Sequence, residues 1–181
     1  KGMSGTKKIY NLTEKNYFKF FGIDEKYGIS VRSLTTHYKK VVAILKEDTT
    51  VLGNDKLMFA ERAFNTLADP ISRARYLIEL NGEDTDIIDN LSVIDRSLSQ
   101  HYEYALADIT SVAEIDDFIA DLKDQSQFII DQIESSIDTY KNYKNAMGLI
   151  CKFHSIAEIH NAAKDKKQKL NDGIKYVVFD R

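Results

Sequence analysis

Ala60-Glu61-Arg62-Ala63-Phe64-Asn65-Thr66-Leu67-Ala68-Asp69-Pro70-Ile71-Ser72-Arg73-Ala74-Arg75-Tyr76-Leu77 contains two helices and the corner between them. The single proline of the chain, Pro70, follows Asp69 directly. A proline suits the first turn of a helix, where its missing N–H would have had no intrahelical acceptor. One helix is therefore predicted to end near Ala68 and another to begin at Pro70, running to about Leu80. Asn81-Gly82 then supplies the left-handed conformation that commonly closes a helix. Upstream, the first of the two is predicted to start near Lys56, with Met58, Ala63, Phe64 and Leu67 on its buried side. Residues 47–55 break the periodicity and read as a loop.

A further helix is predicted from Val31 to Lys46, with Ser30 as its N-cap. Val31, Leu34, Tyr38, Val41, Val42 and Leu45 recur at spacings of three and four and draw one apolar stripe. The other face carries Arg32, His37, Lys39, Lys40 and Lys46. A basic face is more often solvated surface than docking surface. Before it lies Tyr17-Phe18-Lys19-Phe20-Phe21-Gly22, too apolar for a free tail and expected to pack on these helices.

Residues 83–90, acidic and irregular, read as a linker to a second unit over 91–181. There the pattern is helical almost throughout. One helix is predicted from about Ser92 to Ile109 and a long one from a Ser111/Glu114 capping box to about Tyr140. The core side of the long helix is Ile115, Phe118, Ile119, Leu122, Ile129, Ile130, Ile133 and Ile137. A last helix is predicted over roughly 146–170. Short turns between three helices make an antiparallel bundle the simplest arrangement. Tyr176-Val177-Val178-Phe179 is apolar enough to dock as an extended segment or a final turn. The predicted class is all-α: a helical hairpin unit over 10–82 followed by a three-helix bundle.

Composition narrows the function. The 181 residues are 43% apolar and 29% charged, with a formal net charge of −3. That balance lacks the basic excess expected of a nucleic-acid-binding domain. No run approaches the roughly 18 apolar residues of a membrane span. The lone Cys151 excludes an internal disulfide and fits a reducing compartment. The first eight residues have no apolar signal core, so the chain is expected to be soluble and cytoplasmic in a bacterium, with a mitochondrial matrix location left open. His37, His101, His154 and His160 are scattered, and none lies four residues from another, so no metal site is predicted. Cys151, on an apolar stripe, reads as a core residue rather than a nucleophile. No phosphate-cradling glycine loop is present, and neither an enzyme nor a cofactor is indicated.

The stretch from Ala60 to Leu77, with the continuation Ile78-Glu79-Leu80-Asn81-Gly82, resembles the third and fourth helices of a J-domain. Together with Asn16-Tyr17-Phe18-Lys19-Phe20-Phe21-Gly22-Ile23 and Tyr27, it is similar to the HscB-type co-chaperones of iron–sulfur cluster assembly. The resemblance covers residues 16–82 well, whereas from 88 to about 170 only the helical layout and a few apolar positions agree. It implies that a J-domain-like unit docks on an HscA-type heat-shock ATPase through a basic second helix and a His-Pro-Asp tripeptide. It also implies that the C-terminal bundle binds an IscU-type iron–sulfur scaffold.

Carried onto this chain, the ATPase contacts are Lys39, Lys40 and Asp48. The tripeptide position holds Lys46-Glu47-Asp48, so only its last residue agrees. The scaffold contacts are Val93, Ile94 and Leu98, with Glu103 the one acidic residue retained after them. Ile94 and Leu98 read equally well as ordinary core. Two functions follow from the resemblance: a co-chaperone working with a degenerate signature, or a J-like adaptor or interaction protein that no longer stimulates the ATPase.

Overall fold

A computed structural model describes residues 10–47, 50–91 and 96–179, with side chains described for these except 89–91, 96–98 and 174–179. The described residues form helices α1 (Tyr17–Phe20), α2 (Val31–Lys46), α3 (Val51–Ala68), α4 (Pro70–Leu80), α5 (Asp86–Leu91), α6 (Arg96–Asp108), α7 (Val112–Glu134) and α8 (Tyr143–Phe179), with a π-helical turn at Ser135–Thr139. The all-α class holds, and the chain separates into two compact units between Gly82 and Glu83.

In the N-terminal unit the corner forms as its residues require. Asp69 ends α3 in an extended conformation, and its carboxylate accepts the Ser72 N–H at 2.7 Å, capping α4 with Pro70 in the first turn. The Arg73 guanidinium reaches back 2.6 Å to the Leu67 carbonyl, one of the acceptors left open at the end of α3. The same group lies 4.7 Å from the centre of the Tyr27 ring, and Arg73 is only 6% exposed. Gly82 closes α4 with φ +82°.

The aromatic run packs as expected, with Phe18, Phe20 and Phe21 fully enclosed. Each such ring contributes about 2–3 kcal/mol of burial. Tyr17 stacks on Tyr76 at 4.3 Å, and its backbone N–H donates to the Tyr76 hydroxyl at 3.0 Å.

Two expectations fail at the turn into α3. That helix begins at Val51, not near Lys56, because the Thr50 hydroxyl accepts the Gly53 N–H at 3.2 Å and so caps a start five residues earlier. Met58, expected inside, is 62% exposed. The buried side of the longer helix is Gly53, Ala60, Ala63 and Leu67. Phe64 is half-buried and stacks on Tyr38 at 4.4 Å. On α2 the Ser30 hydroxyl accepts the Ser33 N–H as predicted, and Leu34, Val41 and Leu45 are buried, while Val31 at the head of the stripe stays outside.

In the C-terminal unit, α7 and α8 pair along their length, and α5 and α6 also pack on α8. The stretch read as an irregular linker contains α5, whose Ile88 is fully buried. The Ile88 carbonyl lies 3.5 Å from the Cys151 thiol. Cys151 is a core residue, as its apolar stripe indicated. The Ser111/Glu114 capping box is formed in both directions. Ile115, Leu122, Ile129, Ile133 and Ile137 are buried, whereas Phe118, Ile119 and Ile130 are only half-buried.

The helix predicted to run to Tyr140 instead widens at Ser135. There the Tyr140 N–H donates to the Ser135 carbonyl at 3.0 Å, and Lys141 follows with φ +52°. The wider turn carries Ser136 and Ile137 inward, and Asn145 holds the Ser136 hydroxyl at 2.7 Å. Helix α8 is longer than the predicted 146–170 at both ends, so the apolar tail 176–179 continues a helix. The Lys166 ammonium donates to the carbonyls of Leu106 and, at 2.9 Å, Ala107, closing the end of α6.

Arg73→Ala should lower stability by about 2–3 kcal/mol, since it leaves a buried carbonyl without its donor and removes the ring contact; urea unfolding midpoints measure it. Lys166→Met should speed amide hydrogen exchange through α6 with little change elsewhere, at a cost of about 1 kcal/mol.

Candidate partner-docking surfaces

Helix α2 carries Arg32, Lys39, Lys40 and Lys46 and no aspartate or glutamate. Its apolar stripe faces the unit's interior, so the four cations stand on the solvent side. Lys39 and Lys40 are both exposed. Among the described residues none of the four forms an ion pair, unlike Lys26 with Asp24 and Lys167 with Asp116. An uncompensated basic face of this kind attracts an acidic surface and speeds encounter with it. Asp48, the third residue assigned to this contact, lies outside the described residues. Glu47 ends α2 with its N–H on the Ile44 and Leu45 carbonyls.

The turn beside that face holds a feature that periodicity missed. Val51 is 80% exposed, Leu52 60% and Ile44 46%. The sequence signal was present in Val51-Leu52, but residues 47–55 break the periodicity and so read as loop.

In the C-terminal unit the expected scaffold surface is only partly placed. Val93 and Ile94 lie outside the described residues. Leu98 belongs to α6, but its side chain does too. Glu103 is exposed on α6. At about 100° per residue, positions 98 and 103 stand roughly 140° apart around the helix and so do not share a face. Tyr102, one turn after position 98, meets Phe118 of α7 edge-on at 6.2 Å. Leu106 is buried, while Tyr104 is exposed.

Two shallow clefts run between α7 and α8. One, of 500 Å³ beside the π-helical turn, is lined by Phe128, Asp131, Ser135, Tyr140, Asn145 and Lys152. The other, of 260 Å³, is lined by Lys123, Ser126, Gln127, Ile130, Phe153 and His160. Nε2 of His160 is buried without a hydrogen-bond partner. Burial above all, then Lys164 and Lys123, holds its pKa below the ordinary 6.5. Among the described residues no group of histidine, cysteine, aspartate or glutamate is placed to hold a metal ion, and no helix is long and apolar enough to cross a membrane.

Comparison with known proteins agrees with the resemblance. No family model matches the chain. A co-chaperone protein HscB homolog of Paraburkholderia phymatum is 27% identical, over 70% of this chain and 80% of that one. Another, from Shewanella woodyi, is 26% identical over 75% of this chain and 83% of its own. In fold the chain is similar to human co-chaperone HscB, with TM-score 0.68 at 18% identity, covering 83% of this chain and 81% of that one. It is also similar to HscB from Vibrio cholerae, with TM-score 0.64 at 21% identity, covering 86% and 99%. In sequence and in fold, the chain is thus similar to the HscB-type co-chaperones.

His160 gives a pH signature. With its folded pKa below the unfolded value, the unfolded chain binds the proton more readily. The contribution of neutral His160 is therefore complete above the ordinary histidine range and is lost as pH falls through it. Urea midpoints between about pH 7.5 and about pH 5.5 should fall less steeply for His160→Gln than for the natural chain.

Proposed function

We propose that this chain, alike in sequence and fold to the HscB co-chaperones, is itself a co-chaperone that binds an IscU-type iron–sulfur scaffold and presents it to an HscA-type heat-shock ATPase. The observation that carries this reading is the basic α2 face, exposed and unpaired, on a fold similar to HscB. In the proposed complex Lys39 and Lys40 meet acidic groups of the ATPase, and Asp48 is the third contact. Val93, Ile94 and Leu98 supply the apolar contact to the scaffold, and Glu103 adds a charge on a different face of α6. The chain itself makes or breaks no bond. Its work is to bring two partners together and bias the nucleotide cycle of one of them. A cytoplasmic location accompanies this reading.

A second reading rests on one specific observation: Lys46-Glu47 stand where the family carries His-Pro. An adaptor without that pair would bind its partners and leave the hydrolysis rate unchanged.

The steady-state ATPase rate of the cognate chaperone, with and without this protein and with scaffold present, separates the two. Stimulation is expected, with the apparent affinity lowered about tenfold by Lys39→Glu/Lys40→Glu and the stimulation abolished by Asp48→Ala. Scaffold binding that weakens in Ile94→Ala or Leu98→Ala, with no stimulation under any condition, would establish the adaptor instead. An absence of both bindings would end the proposal.

A further inference from the structure

The seam where α7 packs on α8 gathers positive charge at one place. Lys123 is the only basic residue of α7, whose other charged residues are all acidic. It lines the cleft of 260 Å³ whose α8 wall holds Phe153 and His160. Lys164 follows His160 by one helical turn. Burial above all, then Lys164 and Lys123, lowers the His160 pKa, so both ammonium groups lie close to that imidazole. Three cationic or protonatable side chains from two helices therefore converge here.

Further along, the same seam balances its charges, since Lys167 pairs with Asp116. Around the cleft it does not. No acidic residue stands three or four positions from Lys123, His160 or Lys164, the spacings that share a helix face. Asp121, Asp124, Glu158 and Asp165 lie at least about 100° around their helices from these groups. Asp131 accepts from the Gln127 amide at 2.8 Å. Among the described residues neither Lys123 nor Lys164 forms an ion pair, and His160 Nε2 is buried without a hydrogen-bond partner. A single unpaired surface lysine is ordinary. Two that converge on an unpartnered imidazole nitrogen repel one another, and an anion between them removes that cost.

We propose that the α7–α8 cleft beside Lys123, His160 and Lys164 binds a small carboxylate carried on a short apolar body. The two ammonium groups take the head, and Ile130, Phe153 and Ala157 wall the carbon chain. The donors select a carboxylate over a phosphate. Phosphate sites draw on helix N-termini or on the fork of an arginine. This cleft lies midway along both helices and has neither. Its volume falls below the roughly 300 Å³ at which pockets begin to take drug-sized ligands, so the body is a few carbons long. The site lies in the C-terminal unit and uses none of the residues assigned to the two partner proteins, so it stands apart from the co-chaperone reading.

The test titrates the full chain with hexanoate and follows the His160 ring protons by NMR, assigned by their loss in His160→Gln. Saturable shifts with a dissociation constant of about 1 mM are expected. Lys123→Met/Lys164→Met changes two exposed positions, keeps side-chain length, and should weaken binding at least about tenfold with helix content unaltered. Lys39→Met/Lys40→Met, in the other unit, should leave it unchanged. Hexanamide has the same body without the charge, and acetate has the head without the body. Each should bind at least about tenfold more weakly than hexanoate. Inorganic phosphate or hexanamide binding as tightly as hexanoate would overturn the ligand class and with it the proposal. No saturable shift at about 20 mM hexanoate, or equal affinity in the Lys123→Met/Lys164→Met variant, would overturn the site. ATPase stimulation and scaffold binding are separate measurements, so failure here leaves the co-chaperone reading where it stood.

Discussion

Arg73 is the group on which the geometry of the N-terminal unit depends, because it joins the end of one helix to the body of the unit. Its guanidinium donates through one Nη to the Leu67 carbonyl and lies over the Tyr27 ring, while its Nε is buried with no hydrogen bond, so this buried cation is compensated only in part, by an acceptor that α3 leaves open and by a ring face. A charge this far from water is tolerated only when so paired. With the α3–α4 corner fixed, Tyr76 is carried to Tyr17 and the aromatic run closes over the helices. The outward face of α2 is a consequence. Once Leu34, Val41 and Leu45 are committed inward, the lysines on the opposite side have no choice of direction.

The C-terminal unit is organised around α8, onto which α5, α6 and α7 all pack. Two small devices finish what side-chain burial begins. Lys166 closes the open end of α6, and the π-helical turn lets α7 finish with Ser136 and Ile137 facing inward before the chain reverses. Such widened turns are uncommon and often sit at functional places. Here the turn borders a cleft of mixed polar and aromatic lining.

The likeness to HscB proteins is one of overall sequence and fold, and fold alone does not carry function. On this chain α2 carries four cations and no acidic residue, and Ile44, Val51 and Leu52 are exposed near the start of α3 and the end of α2.

How much of this was legible in the sequence follows from the range of each signal. The caps at Ser30 and Ser111, the stop at Pro70, the closure at Gly82 and the inward positions Leu34, Val41 and Leu45 of the α2 stripe are each decided by residues close in sequence, and they appear where the residues placed them, although Val31 at the head of that stripe does not. The position of Cys151 followed from the same periodicity. Lys39 and Lys40 were legible as an exposed pair because the stripe fixes both faces at once. Other features depended on contacts between distant segments. The five-residue extension of α3 was hidden because Gly53 and Asn54 argue locally against helix, and packing overrides that preference. Met58 was misplaced with it. Helix α5 forms in an acidic stretch because Ile88 finds a pocket beside Cys151, 63 residues away. The π-helical turn has no local pattern of its own. Sequence by itself determined the helices, their caps and the sign of their surfaces, since those are nearest-neighbour chemistry. Only tertiary structure decided which apolar residues stay in water, since burial is settled by what arrives from elsewhere in the chain.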